Sequence, residues 1–282
     1  MSRINRRGFL KGTLGTAAAI SLPSIAVDGA ILGANERLRM AVCGLNGRGG
    51  SHIGGFGGDK RVELAWLIDP DENVLKRRLR GRKNCQGDVN FRKALADKNV
   101  DAISVAAPNH WHSLMTIEAA QAGKHCYVEK PASHDVYEGA VATAAWKKYK
   151  VVIQHGTQQR SDARVAGLHD LIHKGKFGKL KISYGYCCKP RGGIGQNRVG
   201  EPPKHLDWDL WKGPAKVKEY HSNYVHYNWH WFWDTGNGDL NNQGTHQLDR
   251  ARWAIDKDQT HPVRTFALGG RFNNKQNQWN ND

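Results

Sequence analysis

From Leu38 onward, short unbroken apolar runs alternate with segments in which apolar residues recur at helical spacing. The runs at 38–43, 62–68, 102–106, 125–129 and 151–155 have the length and continuity of strands buried on both faces. Between them the spacing predicts helices, most clearly over 110–121 and 133–149. Gly123 is placed to end the first and Ser133 to cap the second. Strand–helix alternation of this kind predicts βαβ units and a parallel, doubly wound α/β sheet. After position 155 the pattern changes to a helix over 161–174, a strand over 179–188 and a glycine-rich basic loop over 189–204. Three regions follow: a leader and linker over 1–34, an α/β domain over 35–157 and a second domain over 158–282.

The leader carries its own chemistry. Arg6 and Arg7 precede Phe9 and Leu10, and a mild stretch of small residues runs from 12 to 27. This is the pattern of a twin-arginine export signal rather than of a folded element. Ser24-Ile25-Ala26 fits a small-x-small cleavage site, with Ala30 and Ala34 as alternatives. Cleavage after Ala26 removes Arg3, Arg6, Arg7 and Lys11 and no acid, so the formal charge of +16 becomes +12. The route exports proteins already folded, which suits a periplasmic protein loaded with a cofactor before it leaves the cytoplasm. No mid-chain run approaches the ~18 apolar residues of a membrane span. The five cysteines include no CxxC pair, which argues against both a disulfide framework and a thiolate zinc site. His226 and His230, and His110 and His112, lack Cys or carboxylate partners at ligand spacing, so we expect no metal. The remaining Lys and Arg are spread along the chain, and nucleic acid is not an expected partner.

The first strand runs into Gly44-Leu45-Asn46-Gly47-Arg48-Gly49, a G-x-G-x-x-G turn with Asn46 at the second glycine. In such a turn the first glycine permits the bend, the second lets backbone approach a pyrophosphate, and the third lets helix pack on strand. Either Asn46 crowds the phosphates or Gly47 takes the close approach. Asp69 ends the second strand 20 residues after Gly49, where an acid accepts hydrogen bonds from both ribose hydroxyls and repels a 2′-phosphate. NAD is therefore favoured over NADP. The run Asp69-Pro70-Asp71 is also compatible with a plain turn and helix cap.

Two further segments, Ala107-Pro108-Asn109-His110-Trp111-His112 and His125-Cys126-Tyr127-Val128-Glu129-Lys130-Pro131, resemble the Gfo/Idh/MocA oxidoreductase family, whose Glu-Lys-Pro signature is matched residue for residue. The stretches at 206–214 and 238–249 resemble its exported bacterial branch, and the resemblance covers about residues 38–270. It implies an α/β Rossmann domain followed by an α+β domain with a large, open, mostly antiparallel sheet. Family chains continue well past this length, so we expect that sheet to be incomplete, and the homo-oligomer usual in the family is in question. The resemblance also implies a cis peptide before Pro131.

Oxidising a secondary alcohol needs a hydride acceptor, a base for the hydroxyl proton and a group that polarises the oxygen. Lys130, at the carboxyl end of a parallel strand, is placed to bind that oxygen. His246 is the candidate base, because the unperturbed imidazole has its pKa near neutrality. Family members commonly carry Asp four residues before this His; here Asn242 stands there and cannot stabilise an imidazolium by charge, although Asp239 and Asp249 are close in sequence. Candidate catalytic residues are thus Lys130, His246 and Asn242. Candidate cofactor contacts are Gly44, Asn46, Gly47, Arg48, Gly49, Asp69, Pro108, Asn109, His112, Glu129 and Lys130. Seven of ten tryptophans lie at or beyond Trp208, and flat rings suit the apolar faces of sugars. Arg160, Trp229, His230 and Trp231 are the candidate substrate contacts. The expected activity is NAD-dependent hydride transfer with a small carbohydrate or cyclic polyol. The alternatives are an NAD-dependent glycoside hydrolase or lyase acting through transient C3 oxidation, and a non-catalytic nucleotide-binding remnant.

Overall fold

The structure, a computed structural model, describes residues 37–186, 192–255, 264–266 and 268. The export signal, the ends of the expected strand and start of the basic loop at 187–191, and the Asn-rich tail lie outside the described residues.

Six parallel strands form one sheet in the order β3-β2-β1-β4-β5-β6. They are β1 (Leu38–Cys43), β2 (Val62–Ile68), β3 (Gln86–Asp88), β4 (Ala102–Val105), β5 (His125–Glu129) and β6 (Ile153–Gly156). Successive side chains leave a strand on opposite faces, and β1 shows the division: Ala41 and Cys43 enter the larger core with Ile103, Val105, Trp111 and Val128, while Val42 enters a second core with Leu45, Ile53, Leu67 and Leu75. Burial on both faces explains why these strands read as continuous apolar runs. The short polar edge strand β3, Gln-Gly-Asp, gives no such signal.

The crossovers are α1 (Arg48–Gly57), α2 (Glu72–Leu79), α3 (Arg92–Ala96), α4 (Asn109–Gln121) and α5 (Val136–Tyr149). Gly123, at φ +70, follows the end of α4 as a left-handed terminator. The expected cap of α5 is corrected: Asp135, not Ser133, sits in extended backbone and accepts the Glu138 amide at 2.8 Å. A short carboxylate at this position satisfies a free helix amide and complements the helix dipole.

The later residues form α6 (Ala163–His173), α7 (Trp208–Lys212), α8 (Gly238–Asn242) and α9 (Gly244–Ile255). The antiparallel sheet expected of this half is not formed by the described residues. The run expected as a strand over 179–188 has no ladder partner within 179–186, and the isolated bridges are Gly200–Tyr220 and Asp71–Leu206. Its alternation survives nonetheless: Ser183 and Gly185 are half-buried, Ile182, Tyr184 and Tyr186 are exposed, and a Cβ on Gly185 would lie 2.7 Å from the Gln247 carbonyl. Strand-like side-chain alternation is therefore present without the hydrogen-bonded neighbour that makes a strand. A third core joins Leu206, Trp211, Val217, Tyr224, Trp231 and Phe232, with the Trp208 and Trp211 rings stacked 5.0 Å apart.

Candidate active site

A cavity of about 510 Å³ opens where the carboxyl ends of the strands meet α7, α8, α9 and the 226–230 segment. Open parallel sheets place ligands at this edge, where strand ends and helix starts leave backbone groups unpaired.

The glycine turn forms one wall. Gly44 has φ +79, and a Cβ there would lie 2.8 Å from the backbone of Ala106 and Ala107, so the bend requires glycine. A Cβ on Gly49 would lie 1.8 Å from the Gly44 carbonyl, so Gly49 serves helix–strand packing and does not itself line the cavity. Gly47, at φ +44, has open space where a Cβ would be. Asn46 lines the cavity with Gly44, Gly47 and Arg48, and its Oδ1 accepts from Arg77 at 3.4 Å.

Asp69 is buried on the same wall. Its Oδ2 accepts the Leu45 amide at 2.8 Å and its Oδ1 the Asp71 amide at 3.0 Å, tying the end of β2 to the glycine turn. Burial pushes its pKa up, against the pull of these two amides. The cap reading also holds next door, since Asp71 Oδ1 caps α2 through the Asn73 and Val74 amides. Pro108, Asn109 and His112 line the opposite side. Asn109 Nδ2 donates to Asn237 Oδ1 at 3.1 Å. The His112 ring faces the carbonyls of Pro131 at 2.5 Å and Ala107 at 2.7 Å, and burial lowers its pKa. His112 thus braces the loops that bear the site rather than offering a free nitrogen to a ligand.

Glu129 and Lys130 end β5 and line the cavity. Glu129 Oε1 accepts from Arg48 Nε at 2.9 Å and His52 Nε2 at 3.0 Å. Burial opposes its charge, yet these donors win and hold its pKa at about 2. Lys130 Nζ donates to the backbone carbonyl of Asn242 at 2.7 Å and to its side-chain Oδ1 at 3.0 Å. The Lys130–Pro131 peptide is cis. Asn242 therefore serves the lysine. Nor does it share a helix with His246: α8 ends at Asn242 and α9 begins at Gly244. His246 lines the cavity together with Lys130 and Asn242.

Two candidate substrate residues are corrected. Arg160 does not line the cavity; its guanidinium grips Asp249 at 2.7–3.1 Å and lies over the Trp253 ring at 4.9 Å. That grip also commits Asp249 to Arg160. Trp231 is buried in the third core, where apolar burial outweighs exposure to a sugar. Trp229 and His230 do line the cavity, with His230 Nδ1 facing the Tyr227 carbonyl at 2.5 Å. His226 pairs with Asp71 at 2.9 Å rather than with His230. The sequence reading missed the apolar slot of Ile68, Val89, Phe91, Trp111 and Met115, and Leu210 and Trp211 facing it from α7. Trp111, Leu210 and Trp211 offered a signal, since they sit inside the 107–112 and 206–214 segments, whereas Phe91 offered none.

These residues suit NAD: a tight glycine turn with room at Gly47, a buried acid at the end of β2, and apolar side chains lining the same cavity. Fold and site together define a Rossmann-type domain with a cavity at the carboxyl edge of its sheet. Residues 38–157 match the family model described as oxidoreductase family, NAD-binding Rossmann fold, and residues 184–273 match its C-terminal alpha/beta domain; the chain belongs to the Gfo/Idh/MocA oxidoreductase family. Residues 3–23 match the twin-arginine translocation signal. A glycosyl hydrolase family 109 protein of Shewanella baltica is 26% identical over 209 residues, covering 64% of this chain and 45% of that relative. The chain thus spans less than half the length of this curated relative. GenD2 of gentamicin A biosynthesis, solved in complex with NAD, superposes with a TM-score of 0.56 at 25% identity, covering 79% of this chain and 54% of that one. The WlbA dehydrogenase of Bordetella pertussis, solved with NADH and UDP-GlcNAcA, gives a TM-score of 0.59 at 22% identity over 78% and 56%, a likeness of fold.

Proposed function

We propose that this chain is an exported, periplasmic oxidoreductase that transfers hydride between NAD and a secondary alcohol of a small carbohydrate or cyclic polyol. The observation that carries the reading is the convergence of Lys130, Asn242 and His246 on the cavity that also holds the glycine turn and Asp69. When bound, NAD supplies the hydride acceptor. Lys130, oriented by two oxygens of Asn242, presents a cation to the substrate oxygen and stabilises the charge that develops there. His246 takes the hydroxyl proton. Trp229 and His230 offer a ring face and a polar edge to a sugar. Asp69 favours NAD over NADP because a second buried anion beside it is costly. The domain division that goes with this reading is leader and linker 1–34, cofactor domain 35–157 and substrate domain 158–282.

A second reading, an NAD-dependent glycosidase, is favoured by the glycosyl hydrolase family 109 relative and by the absence of a charged partner at position 242. In that case Lys130 and His246 handle the same hydroxyl, and no net oxidation accumulates. The test incubates the mature protein with NAD, free sugars, polyols and chromogenic glycosides. Growth of the reduced-nicotinamide absorbance supports the dehydrogenase, and aglycone release without it supports the glycosidase. Neither signal with any substrate, in a protein that binds NAD, overturns both.

A further inference from the structure

Under the glycine turn lies a polar chain that the proposed chemistry does not use. His52 sits on α1 four residues after Arg48, on the same helical face and one turn deeper beneath the sheet. It is buried and does not line the cavity. Its Nδ1 lies 2.6 Å from Ser104 Oγ, and its Nε2 lies 3.0 Å from Glu129 Oε1. Ser104 is itself fully buried, a polar residue in the strand Ala-Ile-Ser-Val. Phe56 and Tyr127 stand edge-on to the imidazole at 5.8 and 5.4 Å and shield it from water.

The chain has a direction. An ionised carboxylate only accepts, so His52 carries its hydrogen at Nε2 toward Glu129, and a neutral ring takes the Ser104 hydroxyl hydrogen at Nδ1. Glu129 Oε1 thus receives a buried donor from one side and Arg48 Nε, at 2.9 Å, from the other. The Arg48 side chain is 41% exposed and lines the cavity, whereas that of Glu129 is 5% exposed. The half-exposed cation at the wall is anchored by a buried anion, and the anion is held by His52.

We propose that His52 is a positioning residue for the cofactor site: it locks the Glu129 carboxylate, through which Arg48 is held at the cavity wall to meet an anionic portion of the dinucleotide. This rests on the reading of the cavity as the NAD site, which the wild-type arm of the test examines separately. Without the Nε2 donor, Glu129 keeps only its solvent-side partner and follows Arg48 outward, since a buried carboxylate short of donors seeks water.

The experiment compares wild type with H52Q, H52N and H52F, measuring the NAD dissociation constant by calorimetry and thermal unfolding without ligand. A Gln side chain places its amide nitrogen near the position of Nε2 and restores the donor to Glu129. Asn reaches only the Nδ1 position, toward Ser104, and Phe restores neither. We expect H52F and H52N to bind NAD about tenfold more weakly and H52Q to stay within about twofold of wild type, the loss of one hydrogen bond to a charged group. We also expect this ranking to differ from the ranking of unfolding temperatures. Affinities that follow unfolding temperature across the series, or H52F binding as tightly as wild type, would overturn the positioning role. Wild type that binds no dinucleotide would remove the cofactor reading and this proposal with it.

Discussion

At the scale of single residues, the structure separates groups that line the cavity from groups that hold them. Lys130 is reached through Asn242, and the two acceptors on that residue differ in kind: the backbone carbonyl survives any substitution, and Oδ1 does not. We therefore expect K130M to lower kcat by ~100-fold or more, the range for losing a group that stabilises developing charge. N242A, which keeps the carbonyl, should lower it only about tenfold. NAD affinity measured alongside should change little in N242A; equal losses of kcat in the two variants would show that Asn242 does more than orient the lysine. His110 belongs to the holding group. It is buried, faces the carbonyls of Trp211 and Thr235, and burial lowers its pKa to about 4, a shift those carbonyls only partly oppose. The unfolded chain binds a proton near pH 6.5 that the folded imidazole refuses, so stability is whole above that pH and falls as pH drops toward 4. Unfolding temperature measured from pH 7 to 4 should fall more steeply in wild type than in H110F, whose ring cannot titrate. Parallel curves would assign the acid sensitivity to other groups.

At the scale of elements, the glycine turn shows how adjacent positions serve different ends. G49A places a Cβ 1.8 Å from the Gly44 carbonyl, so α1 must lift from β1. An overlap with backbone has no easy relief, and we expect unfolding temperature to fall by about 5–10 °C. G47A meets no atom within 4 Å and strains only its own backbone, at φ +44 and ψ −113, by ~1–3 kcal/mol, so it should unfold closer to wild type while binding NAD more weakly. Calorimetric unfolding and NAD titration on both variants check this, and a G47A protein with unchanged affinity would move the pyrophosphate contact elsewhere. The packing role of Gly49 was legible in the sequence because spacing alone encodes it, as were the strands buried on both faces, whose apolar runs admit little else. The break between α8 and α9 was not legible, since Asn241-Asn242-Gln243-Gly244 lacks proline and reads as one polar turn. Nor was the commitment of Arg160 to Asp249, two residues 89 apart whose pairing exists only once α9 docks beside the turn after β6. Trp229 and Trp231 are two positions apart in one 3-10 turn, one lining the cavity and one in the core, and composition cannot sort such neighbours.

At the scale of the molecule, the cavity has walls from both halves, and the halves are joined around its rim. The Trp211 carbonyl accepts from the Trp111 indole at 2.9 Å and faces His110 at 3.0 Å. Asn109 meets Asn237, Lys130 meets Asn242, and His226 meets Asp71. The Glu72 amide donates to the His205 carbonyl at 2.8 Å, and the Asp207 amide to the Pro70 carbonyl at 2.9 Å. A half that unfolded alone would strip partners from buried groups of the other, at about 1–3 kcal/mol for each group left unsatisfied. The two halves should therefore melt together, and a ligand in the shared cavity should stabilise both. At a free NAD concentration 100 times its dissociation constant the stabilisation is ~2.7 kcal/mol, which for a domain of this size raises the unfolding temperature by roughly 5–10 °C. Differential scanning calorimetry of the mature protein should show one transition that moves as a unit with NAD. Two transitions, only one of them responsive to NAD, would show that the rim contacts do not couple the halves and that the cofactor domain holds the dinucleotide alone.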